Sequence, residues 1–189
     1  MKHVFRGALA GAVALSCLVT ASCGPAAANG PGAQEGSDAP ASKTSSGPKA
    51  PDFSLPSLDG KTVQLSEYLG TNVVLINFWS TTCDPCMVEM PHFVELYKRH
   101  KDKGFVVLAI SLDGPESRAQ VSSVVHDKEM IFPVLLDEET TVVARYNPKR
   151  ELPYSVIIGR DGSIVHKRAG YNPGDEKSLT AEVEKALAP

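Results

Sequence analysis

Two cysteines three positions apart, Cys83 and Cys86 in the run Ser80-Thr81-Thr82-Cys83-Asp84-Pro85-Cys86, are the residues of this chain best suited to chemistry. A Cys-x-x-Cys pair at a strand-to-helix junction sets its first thiol at the helix N-terminus, where unsatisfied N–H groups and the helix dipole favour the thiolate. The second thiol lies one turn further in and can close a disulfide with the first. Cys83 is therefore the candidate nucleophile and Cys86 the resolving thiol. Cys83 would attack a foreign disulfide, and Cys86 would break the mixed disulfide that results. Two blander readings fit the same pair, zinc ligation and a passive disulfide. Zinc needs two further ligands, yet no other cysteine follows Cys23, and His92 and His100 lack the paired spacing of a zinc site.

The surrounding pattern supplies the junction this chemistry needs. Val73 to Trp79 (VVLINFW) is a nearly continuous β-branched and aromatic run, the signature of a central strand covered on both faces. After the CDPC run, Cys86, Met90, Val94 and Tyr97 recur on one face of a helix, with Pro85 in its tolerant first turn and Pro91 set to kink it. Upstream, Phe53 to Leu65 reads as a hairpin turning at Asp59-Gly60, and Ser66 as the cap of a short helical turn through Leu69. Downstream, Phe105 to Leu112 is a second buried strand and Glu116 to Lys128 a helix. Val134 to Asp137 is a short extended piece and Glu138 to Tyr146 a further helix. Tyr154 to Gly159 and Ser163 to Arg168 form a hairpin about Asp161-Gly162, and Asp175 to Leu187 a closing amphipathic helix. Alternating strands and helices with a late hairpin predict an α/β class with a mixed sheet flanked by helices and an N-terminal β-hairpin extension. No internal repeat is visible.

Asn77-Phe78-Trp79-Ser80-Thr81-Thr82-Cys83-Asp84-Pro85-Cys86, followed by Glu89-Met90-Pro91, resembles the TlpA/ResA group of exported thioredoxin-like thiol-disulfide oxidoreductases. The resemblance runs from Pro51 to Ala188 and includes the Leu58-Asp59-Gly60 turn, the strand from Phe105 to Asp113, and Leu152-Pro153-Tyr154-Ser155-Val156-Ile157-Ile158 with Asp161-Gly162. It implies a thioredoxin-like fold in which Pro153 is a cis-proline facing the cysteines and the backbone at Leu152 pairs with an incoming polypeptide. It also implies that Glu89 lies in a cavity beside the site and transfers protons, a service the buried resolving thiol requires before attack. Trp79, Thr82, Asp84, Pro85 and Leu152 complete the candidate partner-binding set, with Trp79 on its own chemistry a packing residue. The chain departs from the family at Thr82, where most relatives carry Trp, so the usual aromatic cover is missing. Asp84 places a negative charge beside Cys83, which disfavours its thiolate and points to a reducing poise.

Location follows from the N-terminus. Met1 to Arg6 is basic, and Gly7 to Thr20 is apolar but shorter than the roughly 20 residues a spanning helix needs. Residues 1–22 thus read as a signal peptide in which Cys17 is a small hydrophobe. Thr20-Ala21-Ser22-Cys23 resembles a bacterial lipobox with Thr in place of the favoured Leu, making Cys23 the lipidation candidate. Ala26-Ala27-Ala28 offers ordinary cleavage instead, and Cys23 would then be discarded with the signal. Residues 23–50, rich in Gly, Pro, Ala and Ser, read as a disordered tether whose end-to-end distance is about 30 Å, and residues 51–189 as the thioredoxin-like domain.

Composition closes off other classes. In 189 residues the net charge is −3, and residues 51–189 hold 15 Lys and Arg against 20 Asp and Glu, with no basic stripe for nucleic acid. The four cysteines are too few and too clustered for a disulfide-stapled mini-protein. His92, His100, His126 and His166 are scattered, and Lys149-Arg150 and Lys167-Arg168 read as solvated loop charge. The expected activity is therefore reduction of disulfides in envelope proteins without a metal or other cofactor. By resemblance the partners serve cytochrome c maturation (apocytochrome c) or copper-site assembly, and electrons come from a membrane thiol transporter of the DsbD/CcdA kind. Two alternatives stand beside it. A peroxiredoxin-type peroxidase would need a Pro-x-x-x-Thr-x-x-Cys pattern, whereas Ser80 occupies the Thr position. An SCO-like copper chaperone would need Cys-x-x-x-Cys and a distal His, one residue more than the spacing here.

Overall fold

The computed structural model describes residues 47–189; the export segment, Cys23, Ala26-Ala27-Ala28 and the tether as far as residue 46 lie outside the described residues. In chain order the elements are β1 (Ser54–Pro56), β2 (Thr62–Gln64), β3 (Val73–Trp79), α1 (Asp84–His100), β4 (Phe105–Ser111), α2 (Arg118–Asp127), β5 (Val134–Leu136), α3 (Thr141–Tyr146), β6 (Tyr154–Ile158), β7 (Ile164–Ala169) and α4 (Asp175–Leu187). Five strands form a mixed sheet in the order β5-β4-β3-β6-β7. The β3–β4 and β4–β5 pairs are parallel, and the β3–β6 and β6–β7 pairs are antiparallel. This is the thioredoxin-like α/β architecture, and the antiparallel β1–β2 hairpin is its N-terminal extension.

Alternation along β3 divides the core into two. Val73, Leu75 and Trp79 face a cluster containing Cys86, Met90, Phe93, Val94 and Leu96 of α1 with Leu179 and Val183 of α4. Val74, Ile76 and Phe78 face the opposite cluster, built from Phe53, Leu55, Val63 and Leu65 of the extension and Val142, Val143 and Tyr146 of α3. All seven residues of β3 are buried, as a strand covered on both faces must be. Each large apolar side chain taken out of water here contributes about 1.5–3 kcal/mol, so packing on both faces holds β3, the strand that delivers the cysteines.

The chain before β3 also pairs with part of each edge of the sheet. Leu58 N–H donates to the Val134 carbonyl at 2.8 Å and Ser57 bridges Leu135, which covers part of β5. On the other side Ile164 N–H donates to the Pro48 carbonyl at 2.8 Å and Ala50 N–H to the Gly162 carbonyl at 2.9 Å, with Lys49 bridging Ser163. Gly47 runs so close to Ile164 that a Cβ there would collide with its carbonyl oxygen. Residues 48–50 therefore belong to the folded domain, and the expected boundary at residue 51 moves upstream. Sheet-edge pairing captures backbone regardless of side chain, so a Pro-Lys-Ala sequence with the composition of a tether can still be ordered.

Three further expectations change. Leu65–Glu67 is a single 3₁₀ turn with Gln64 at its N-cap and no side-chain cap, so Ser66 lies inside the turn and does not initiate it. The helix expected from Glu116 begins as a 3₁₀ turn at Pro115–Ser117 and becomes α-helical only at Arg118. The helix expected from Glu138 begins at Thr141, because the buried Asp137 carboxylate accepts from Thr141 N–H at 3.0 Å and from Val143 N–H at 2.8 Å. That carboxylate satisfies the orphan donors of the first turn, and Thr140 turns into the helix at φ 53°.

Candidate active site

The Cys83 and Cys86 side chains are joined in a disulfide, with Cα atoms 5.3 Å apart. Cys83 is the N-cap of α1, in extended conformation at φ −95°, and its sulfur accepts from Cys86 N–H at 3.2 Å. Pro85 occupies the first turn, where its missing N–H leaves nothing unsatisfied. Cys83 is half-buried at the rim and Cys86 fully buried beneath it. The sulfur at the end of the N–H array thus belongs to the more exposed of the two cysteines.

The loop from β3 to α1 is held by Asp113, a residue to which no local sequence pattern assigns a role. β3 and β4 end side by side, with Trp79 opposite Ser111, so the chain leaving β4 runs alongside Thr81. The Asp113 carboxylate accepts from Thr81 N–H at 3.0 Å, from the Thr81 hydroxyl at 2.7 Å and from the Ser111 hydroxyl at 2.7 Å. An acidic residue just past a strand parallel to the one feeding a Cys-x-x-Cys loop is the signal that would have found it. Asp113→Ala leaves the Thr81 N–H unpaired and the loop untethered. The expected result is a loss of about 1–2 kcal/mol, seen as a fall of several degrees in thermal midpoint, together with a several-fold lower rate of disulfide reduction. A stability loss with unchanged rate would show that the loop keeps its geometry without this clamp.

The other sequence candidates divide into surface and interior. Thr82, Asp84 and Pro85 are exposed beside Cys83, and Leu152 is half-buried. Val88, 55% exposed on α1, is an apolar residue off the helix's buried face, and sequence reasoning passed over it. Trp79 is fully buried in the cluster that holds Cys86 and Met90, so it has no surface for a partner. Its place in the partner-binding set is a correction, and packing is its role. The Leu152–Pro153 peptide is cis, as the resemblance implied. Tyr154 pairs with Phe78, which puts Pro153 level with the end of β3 where the cysteine loop departs.

Glu89 is 1% exposed, and Arg168 of β7 forms an ion pair with its Oε1. Arg168 Nη1 also donates to the Asp175 carbonyl at 3.0 Å, and its guanidinium carbon lies 6.0 Å from the centre of the Tyr171 ring. Burial pushes the Arg168 guanidinium below its ordinary value, with Asp175, Tyr171 and Glu176 acting in the opposite direction. Reading Arg168 as solvated loop charge is therefore corrected. It lies on the inward-turned side of a strand whose residues alternate in exposure, and its partner is 79 positions away in sequence, beyond the reach of any local pattern.

Comparison with known proteins agrees with this geometry. The AhpC/TSA family model matches residues 46–167. The thiol-disulfide oxidoreductase ResA of Bacillus cereus is 38% identical over 132 residues, covering 70% of this chain and 74% of its own. Among solved structures, a Chlorobium tepidum protein provisionally named thiol:disulfide interchange protein DsbE superposes with a TM-score of 0.69 at 31% identity, covering 75% of this chain and 97% of that one. The thioredoxin domain of a thiol-disulfide oxidoreductase from Bacteroides vulgatus superposes with a TM-score of 0.63 at 26% identity, with the same coverage. A half-buried sulfur capping a helix, a buried partner joined to it and relatives that share most of the chain lead to one assignment: the chain belongs to the AhpC/TSA family and, within it, to the ResA-type thiol-disulfide oxidoreductases.

Proposed function

We propose that this enzyme works at the cell envelope as a reductant of disulfides in partner proteins, with Cys83 as nucleophile and Cys86 as resolving thiol. The observation that carries the reading is the disulfide between a half-buried Cys83 at the helix N-terminus and a fully buried Cys86. In the reduced enzyme the Cys83 thiolate attacks one sulfur of a partner disulfide. That S–S bond breaks, a mixed disulfide forms and the partner's second sulfur leaves as a thiolate. Cys86, giving its proton to Glu89, then attacks the Cys83 sulfur and releases the reduced partner. Two electrons pass to the partner, and the enzyme is left in the disulfide state. Thr82, Asp84, Pro85 and Leu152 form the rim against which the partner backbone lies. The export segment and Cys23 place residues 48–189 outside the cytoplasm, by a lipid anchor or as a freely secreted domain on a tether. In that oxidising setting thiols for haem attachment or copper insertion must be re-reduced, so apocytochrome c and copper-site proteins are the proposed partners and a DsbD/CcdA-type membrane protein the electron donor.

A peroxidase reading is less favoured, because Cys86 one helical turn away closes a disulfide with Cys83 and Ser80 stands where a peroxidatic cysteine has Thr. The reductant reading is tested by redox equilibration of the full chain against glutathione. The exposed Asp84 carboxylate next to Cys83 opposes the thiolate, so the expected potential lies nearer thioredoxin's, at roughly −270 mV, than DsbA's, at roughly −120 mV. A value at the DsbA end would make the enzyme an oxidant and overturn the proposal.

A further inference from the structure

The Glu89–Arg168 ion pair joins α1 to β7 in the interior of the fold. Arg168 is held from three directions: by Glu89 on α1, by the Asp175 carbonyl at the start of α4 and by the Tyr171 ring. Tyr171 is itself fixed, its hydroxyl donating to Glu176 Oε2 at 3.2 Å and lying 3.5 Å from His92 Nε2. Glu89 Oε2 has no hydrogen-bond partner among the described residues, which leaves a buried acceptor one helical turn from Cys86. A buried carboxylate without a cation takes up a proton, whereas a guanidinium in contact favours its charged form and cannot itself be deprotonated. The titratable and charged groups around the pair are Cys86 and His92 on α1, Arg168 on β7, Tyr171 in the following turn, and Asp175 and Glu176 on α4. Arg168 is the cation among them that meets the carboxylate directly.

We propose that Arg168 is a positioning residue of the redox site, a fixed cation that keeps Glu89 ionised and aimed so that it can take the proton of Cys86. This deepens the proposed function and rests on Glu89 being the acceptor. Without Arg168 the carboxylate would hold its own proton to higher pH, and resolution by Cys86 would fail across the range in which Glu89 is neutral. Arg168 acts on one step only: Cys86 gives its proton to Glu89 and its sulfur attacks the Cys83 sulfur, the bond from Cys83 to the captured thiol breaks, and that thiol leaves as a thiolate.

The step can be watched with the aromatic disulfide DTNB on the reduced full chain. Capture at Cys83 releases one coloured thiolate, and resolution by Cys86 releases the second. In the parent, the second phase should show an acid limb that Glu89→Gln removes. Arg168→Met should move that limb upward by about one pH unit or more, an about tenfold slower second phase on the acid side. Arg168→Lys, which keeps the charge, should reverse most of the shift. In the Glu89→Gln background, Arg168→Met should produce no further shift, and this double variant carries no unpaired buried charge if the single one folds poorly. An unshifted limb in Arg168→Met beside an altered one in Glu89→Gln overturns the role of Arg168 alone. An unchanged profile in Glu89→Gln overturns Glu89 as proton acceptor, and Arg168's role with it.

Discussion

Cys83→Ser should reduce insulin disulfides no faster than the uncatalysed thiol reaction, a loss of roughly three orders of magnitude or more, while its fold is retained. A serine hydroxyl next to N–H donors remains protonated at neutral pH and is a far weaker nucleophile than a thiolate. The other thiol cannot substitute, because Cys86 is fully buried and a partner disulfide cannot reach it in line. Cys86→Ser is the informative counterpart. Its first step survives, but the mixed disulfide on Cys83 has no resolving thiol and accumulates as a covalent complex that a reducing agent releases. Mass spectrometry of that complex would assign the captured sulfur and identify the partner. If Cys83→Ser keeps full turnover, or if the trapped bond is found on Cys86, the order of attack proposed here is wrong.

Most features behind that order of attack are legible in the amino-acid sequence. The VVLINFW run is one strand buried on both faces because its apolar residues are continuous, and the CDPC junction follows it because Pro85 and the apolar spacing after it mark a helix start. Patterns of period 2 and 3.6 are local, so they survive in the sequence. What was not legible is what depends on residues far apart. Asp113 acts on Thr81 32 positions away, Arg168 on Glu89, and Pro48 to Ala50 on the start of β7. In each case a charged or backbone group has been assigned its partner by the sheet order, which no single segment encodes. The late start of α3 is different in kind. Glu138 and Glu139 are good helix formers, but Asp137 bonds to three N–H groups of the helix's first turn and so sets its beginning three residues further on.

Trp79→Ala should be the most damaging single change in the core near the site, costing about 3–5 kcal/mol and lowering the thermal midpoint by roughly 10 °C or more. The indole is fully buried in the cluster with Cys86, Met90 and Phe93, and α1 would settle onto the cavity left behind only by moving the cysteines. Trp79→Phe separates packing from chemistry. The Trp79 Nε1 has no hydrogen-bond partner among the described residues, so losing it removes an unpaired buried donor that itself costs about 1–3 kcal/mol. This gain offsets part of the lost volume, and Phe at 79 should cost no more than about 2 kcal/mol while turnover of the folded enzyme stays within about threefold of the parent. The backbone is expected to hold, because the Trp79 carbonyl accepts from Leu112 N–H at 2.9 Å whatever side chain is attached. The loop then still departs from the end of β3 at the same point, with Thr81 clamped by Asp113. A tenfold or greater loss of turnover in Trp79→Phe at near-parental stability would mean that the indole acts on the reacting sulfurs it is buried beside and does more than fill the core.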